Sequence, residues 1–305
     1  MYIRCDLNDY KPNSLKLLLV VQLTQNLRNG IIAPILALFI RSQGLTVAQI
    51  GLLGTIEMLG WFIFEPLTGV VADRVGKKRL VIFAIVSSSF IFVFFPLAIS
   101  IWHFALLMFA RSSVMSTASV SIRAMTAELL PTSGRGKAYG RHMSVISMGG
   151  IIGPFIGGYL TYTIGYTIPF YVSAGVGIAG LAAVLLMRYD ERPIIEPSSP
   201  SEVLKQSKLM TRPFLAILLV RSLYMINFVF RRDILPIFLH ESQSFRASET
   251  QIGVYMSIVQ FSAALSELFI GSLTDRVGSR KITASSLGLS GLSYLGMVYL
   301  TGVLP

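Results

Sequence analysis

The stretch GVVADRVGKKR, Gly69 to Arg79, returns as GSLTDRVGSRK, Gly271 to Lys281. Displacing the chain by 202 residues aligns the two without a gap and carries the match upstream. Gln49, Ile50 and Gly51 meet Gln251, Ile252 and Gly253; Ile56 meets Ile258 and Glu65 meets Glu267. The run Asp73, Arg74, Val75, Gly76 meets Asp275, Arg276, Val277, Gly278. Two unrelated apolar helices share Leu and Val through composition, but not a GxxxDRxG set in one register. The chain therefore reads as two copies of one helical bundle.

Composition says what surrounds that bundle. Of 305 residues 53% are hydrophobic and 13% charged, with a mean hydropathy of +0.67, against roughly 25% charged in soluble domains. Nine apolar runs, near 15–40, 47–72, 79–99, 102–122, 143–163, 167–187, 213–239, 249–273 and 282–301, meet the length of about 20 residues that a helical crossing needs. Nineteen of the 26 Lys and Arg fall in alternate connecting segments, two (Arg41 and Arg246) on the opposite side, and five inside the runs. Because Lys and Arg are retained inside during insertion, the N-terminus is expected in the cytoplasm of a multi-pass protein of the cell membrane. The net charge of +11 lies in clusters between apolar runs rather than on one polar face, so no nucleic-acid partner is expected. The polar start, MYIRCDLNDYKPNS, has no signal-peptide core, and the single Cys5 excludes a disulfide framework. The charged, Pro- and Ser-rich segment 188–212 reads as a cytoplasmic linker between a six-helix bundle, 1–187, and a partial bundle of three helices, 213–305.

The two DRVG stretches resemble the signature loop of the major facilitator superfamily, between its helices two and three, and its echo between helices eight and nine. GGIIGPFIGG, Gly149 to Gly158, is similar to the helix-five motif of the drug:proton antiporter branch, and ELLPTSGRGKAYG, Glu128 to Gly140, looks like that branch's preceding loop. The resemblance implies an all-α integral membrane bundle of that superfamily. It also implies twelve helices where this chain carries nine runs, so the last three are expected to be missing.

By the same resemblance, the loop residues Gly69, Asp73, Arg74, Gly76 and Arg79, with Gly271, Asp275, Arg276, Gly278 and Lys281, form a latch that holds the inside-closed state. Lys77 and Lys78 read only as a topology signal. Gly69 and Gly76 suit a close helix approach and a tight turn. Gly153, Pro154, Gly157 and Gly158 fit a helix that bends and packs closely.

An ionisable residue at mid-membrane costs about 2.5 to 3.5 kcal/mol unless paired or hydrated, so those inside the runs are expected to face a cavity. The candidates among them are Arg28 beside Asn26, Glu57, Arg111, Arg221, and Arg232 with its neighbours Arg231 and Asp233. Glu57 is the candidate proton carrier, and Arg111 stands where antiporters of this resemblance carry a proton-linked arginine. Arg232 pairing with Asp233 is the structural alternative. The excess of arginines reads as a basic cavity suited to an anionic solute. His103, His142 and His240 are too far apart for a metal cluster, and nucleophile motifs and phosphate loops are missing. No enzyme activity, cofactor or metal is expected. Three readings stay open: a monomeric transporter that exports a drug-like amphiphile against a proton gradient, an organic-anion permease, and a truncated membrane protein without transport.

Overall fold

The computed structural model describes residues 12–130, 135–189, 228–242 and 245–300, and its regular structure is all helical. The first group is α1 (Pro12–Ile32), α2 (Leu36–Ser42), α3 (Val47–Val75), α4 (Lys77–Phe94), α5 (Ile101–Leu129), α6 (Arg135–Ile164) and α7 (Ile168–Leu186). After the undescribed segment come a π-turn (Phe230–Ile234), α8 (Leu235–Glu241), α9 (Glu249–Val277) and α10 (Ser279–Leu300). Most of the expected linker and the first part of the seventh run, including Arg221, lie outside the described residues.

Six stretches among the described residues are long and apolar enough to cross a membrane, the first being Asn13–Ser42. Pro34 splits that stretch into α1 and α2, because proline supplies no N–H and crowds the preceding turn. Large apolar side chains face outward: Phe62 is 78% exposed and Trp102 79%. Apolar surface on this scale suits lipid rather than water. Inside, Phe39, Phe95, Phe104 and Phe170 form one aromatic cluster, with Phe95 stacked on Phe170 at 5.4 Å.

The repeat read from the sequence is present in the backbone. α3 and α9 are both 29 residues long and start 202 residues apart. Each opens on the same capping device. The Thr46 backbone N–H donates to Gln49 Oε1 (2.8 Å) while the Gln49 N–H donates to Thr46 Oγ1 (3.2 Å). Ser248 and Gln251 repeat the pair at 2.8 and 3.3 Å. Two otherwise unpaired N–H groups are satisfied at each helix start. Each helix ends on a left-handed glycine, Gly76 at φ +101° and Gly278 at φ +91°. Gly44 (φ +88°) and Arg246 (φ +43°) correspond in the same way ahead of the two helices.

Gly76 combines φ +101° with ψ +136°, a region that side chains with a Cβ enter at about 1 to 3 kcal/mol. Gly76→Ala is therefore expected to lower folding stability by that amount, measured by chemical unfolding in mixed micelles. A neutral result would mean that the α3–α4 turn is not held as described.

Lys77 and Lys78, expected as topology signals only, are structural. Lys77 Nζ reaches Glu128 Oε1 at 2.6 Å, and Tyr189 donates to the other oxygen of Glu128. Lys78 donates to the Met187 carbonyl at 2.6 Å. The start of α4 is thereby tied to the ends of α5 and α7.

Candidate functional site

Glu57 lies midway along α3 with its side chain 3% exposed. Its Oε1 accepts from Arg111 Nη2 on α5. Its Oε2 accepts from Arg232 Nη2 at 2.8 Å, and Arg232 Nη1 lies 3.3 Å from Oε1. Arg232 also grips Asp233, from Nε to Oδ1 at 2.6 Å and from Nη2 to Oδ2 at 2.8 Å, and stands 5.7 Å over the Phe228 ring. Two carboxylates and two guanidiniums from three segments thus make one buried, charge-balanced cluster. A Cβ on Gly54 would come within 3.3 Å of Asp233 Oδ2, so α3 offers bare backbone where the π-turn approaches.

The π-turn has a cause in the sequence FRRDILPIF. Pro236 supplies no N–H to the Arg232 carbonyl four residues back, and its ring would crowd that carbonyl in a regular helix. The Leu235 N–H bonds instead to the Phe230 carbonyl, five residues back. Arg232 and Asp233 sit inside this widened turn, a form that recurs at functional positions.

Among the described residues the early and late helices also meet at the following three places away from the DRVG turns. Arg41 at the end of α2 pairs with Glu241 at the end of α8, Nε to Oε1 at 2.5 Å and Nη2 to Oε2 at 3.3 Å. Tyr166, between α6 and α7, donates to Glu249 at the start of α9 at 2.9 Å. Burial first, then that hydrogen bond and the Glu249 charge, raise the Tyr166 pKa above the ordinary phenol value, so the hydroxyl keeps its proton and remains a donor. Thirdly, α6 and α9 cross where Gly158 faces Gly253; a Cβ on Gly158 would lie 3.0 Å from the Gly253 Cα. Towards the DRVG turns the same two helices part. A cavity of about 490 Å³ opens between them, lined by Tyr139, Met143, Ser147 and Ile151 of α6 and by Phe261 and Leu265 of α9.

The remaining expected residues divide. Gly153 sits where a Cβ would be 2.7 Å from both the Gly30 Cα and the Leu27 carbonyl oxygen. Gly157 is closed in the same way by Ile31, and α6 stays helical through Pro154. The motif thus packs one face on α1 and another on α9. Gly69 departs from expectation: a Cβ there would meet nothing within 4 Å, so no described helix approaches it closely. Arg74, Arg79 and Lys281 are exposed. For Asp73, Gly271, Asp275 and Arg276 the described structure stops at the backbone.

Arg28 is a correction. It does not face the cavity with Asn26, which is exposed and donates to the Gln22 carbonyl at 3.0 Å. Arg28 turns to the back of α1, fully buried, with its guanidinium 5.0 Å over the Phe92 ring of α4. Gly177 of α7 makes room for it, since a Cβ there would lie 2.5 Å from Nη1. None of its three side-chain nitrogens finds a hydrogen-bond acceptor among the described residues. Among the described residues Glu57 and Asp233 balance Arg111 and Arg232, while Arg221 lies outside them. Glu57, the candidate proton carrier of the sequence, is held by two arginines.

A buried chain that the sequence did not single out joins α1, α5 and α6. His142 Nε2 lies 3.2 Å from Gln22 Oε1, and Gln22 Nε2 donates to Thr126 Oγ1 at 2.7 Å. Gln22 shares one face of α1 with Asn26 and Asn29 by helical spacing.

Known proteins resemble this chain in sequence and in fold. The family model for the Major Facilitator Superfamily matches residues 18–304. Quinolone resistance protein NorA of Staphylococcus aureus is 27% identical over 166 residues, covering 53% of this chain and 42% of NorA. Multidrug resistance protein MdtG of Citrobacter koseri is 26% identical over 288 residues, covering 88% of this chain and 68% of MdtG. The chain thus spans 42% to 68% of the length of these two relatives. Among solved structures, a bacterial homolog to the human lysosomal transporter Spinster, inward-facing and occupied, superposes with a TM-score of 0.70 at 17% identity, covering 89% of this chain and 63% of that one. The nucleoside transporter NupG gives 0.68 at 16%, covering 87% and 69%. At these identities the structures speak for the fold.

Proposed function

We propose, from the premise that this chain belongs to the Major Facilitator Superfamily, that it acts as a secondary transporter exporting an amphiphilic solute in exchange for protons. It is an integral membrane protein, and membership in a transporter family agrees with the absence of enzyme motifs in its sequence. The observation that carries the reading is Glu57, buried between Arg111 on one side and Arg232 on the other. A mid-helix ionic link between the early and late helices must loosen and re-form if the two groups rock, and a proton taken up in the cluster changes the balance of charge that holds it.

With the N-terminus in the cytoplasm of the cell membrane, as the Lys and Arg distribution favours, the DRVG turns face inward. The contacts Arg41–Glu241 and Tyr166–Glu249 then close the outer side, and the cavity between α6 and α9 opens towards the inner one. Its lining of Tyr139, Met143, Phe261 and Leu265 with hydroxyls nearby suits a solute with an apolar body and few polar groups. The names of NorA and MdtG, quinolone and multidrug resistance, support the same class. The balanced charge of the cluster argues against the anion-permease alternative. The protein is taken to work as a monomer without cofactor, driven by the proton gradient.

Inverted vesicles carrying the full chain and a fluorescent quinolone test this. An imposed pH gradient, acid inside, is expected to raise uptake at least several-fold, and Glu57→Gln to remove that stimulation. Uptake indifferent to the gradient would remove proton coupling from the account.

A further inference from the structure

The two carboxylates of the cluster are served unequally. Among the described residues Glu57 has Arg111 on one oxygen and Arg232 bridging both, whereas the bonds to Asp233 come from Arg232. We infer that Asp233, rather than Glu57, is the carboxylate that takes up and releases the coupled proton. The inference rests on the proton-coupled reading above and assigns its proton to one side chain.

Neutralising Glu57 would leave Arg111 without a carboxylate in a buried site, the costly way to remove one member of an ion pair. Neutralising Asp233 leaves Arg232 still held by Glu57, and Arg111 untouched. Access points the same way: the Asp233 side chain is 10% exposed against 3% for Glu57. The π-turn is an independent support. It holds one residue more per turn than an α-helix, and its return to α geometry would swing Arg232 and Asp233 by about 100° against α3. Pro236 denies the Arg232 carbonyl its regular partner, so neither form of the turn has a complete ladder.

The exchange is simple in atoms. A proton from water adds to an Asp233 carboxylate oxygen, and the neutral acid no longer attracts Arg232 as an ion. When the site opens on the other side the proton returns to water and the ion pair re-forms; no other bond changes. The charged groups around it among the described residues are Glu57 on α3, Arg111 on α5, and Arg231 and Arg232 on the turn itself. Beyond them lie Arg41 on α2, paired with Glu241 of α8, and His240 of α8, whose Nδ1 lies 3.0 Å from the Ala247 carbonyl.

Infrared difference spectra of the full chain in lipid, acid minus neutral, read the carboxyl directly. A buried-carboxyl component of the protonated band, resistant to hydrogen–deuterium exchange, is expected in the unaltered protein and in Glu57→Gln, and is expected to vanish in Asp233→Asn. If Asp233→Asn fails to fold by size exclusion and circular dichroism, Asp233→Glu is expected to move the band instead. A band that is missing in the unaltered protein, persists in Asp233→Asn, stays unmoved in Asp233→Glu or disappears in Glu57→Gln would overturn the assignment. The vesicle assay separates this from the broader reading. Gradient-driven uptake with the band on Glu57 removes the Asp233 assignment alone, and gradient-blind uptake with the band on Asp233 removes coupled transport while leaving Asp233 as the group that titrates.

Discussion

Glu57→Ala is expected to lower folding stability by about 3 to 5 kcal/mol, the range for breaking a buried ion pair by removing one partner. Two guanidiniums lose their shared acceptor at once, and both are largely buried, Arg111 at 9% and Arg232 at 17% side-chain exposure. An exposed pair provides the contrast. Glu65 and Arg123 also form an ion pair, but at 48% and 61% exposure, where water and salt screen it to about 0 to 1 kcal/mol. Glu65→Ala should therefore be nearly silent. Replacing Arg111 by Met in the Glu57→Ala background removes one stranded charge, and the two changes are expected to be less than additive. Chemical unfolding in mixed micelles checks all three. Equal losses for Glu57→Ala and Glu65→Ala would mean that the cluster is hydrated rather than buried.

Gly153→Val should be comparably damaging for a steric reason. The atoms that its Cβ would meet at 2.7 Å belong to the backbone of α1, so no rotamer change relieves the clash and the helices must separate. Overpacking of this kind costs about 1 to 3 kcal/mol, occasionally more. Gly158→Val strikes the other face of α6, where Gly253 is the neighbour, and is expected to loosen the crossing with α9 on the side away from the DRVG turns. Gly69→Val, placed where a Cβ meets nothing within 4 Å, serves as the control and should leave the melting temperature within about 2 °C, the shift that roughly 0.5 kcal/mol gives in a chain of this size. A Gly153→Val melting temperature as high as that of Gly69→Val would contradict the packing of α6 on α1.

These contrasts show where the sequence was informative. The 202-residue repeat is legible because a left-handed glycine and a capping pair demand particular residue types, so Gly76 and Gly278, Gln49 and Gln251 mark the same backbone events twice. Glu57, Arg111, Arg232 and Asp233 stand out one by one, because a charge inside an apolar run needs a reason. Their assembly was not legible. Glu57 and Arg232 are 175 residues apart, and only the packing of helices decides which charges meet. Arg28 carried a usable signal that composition hid. It lies two residues after Asn26, about 200° round a helix, while Gln22, Asn26 and Asn29 share the other face. Lys77 looked like any interfacial lysine until Glu128, at the far end of α5, supplied its partner.

Two repeated bundles lying in lipid must present both DRVG turns on one side of the membrane. Cysteine labelling in sealed vesicles tests it, with Cys5 replaced by serine and single cysteines placed at Lys78, Lys281, Gln43 and Ser242 in turn. A membrane-impermeant thiol reagent is predicted to reach positions 78 and 281 from one side only, and positions 43 and 242 only from the other. Labelling of 78 and 281 from opposite sides, or of all four from either side, would contradict it.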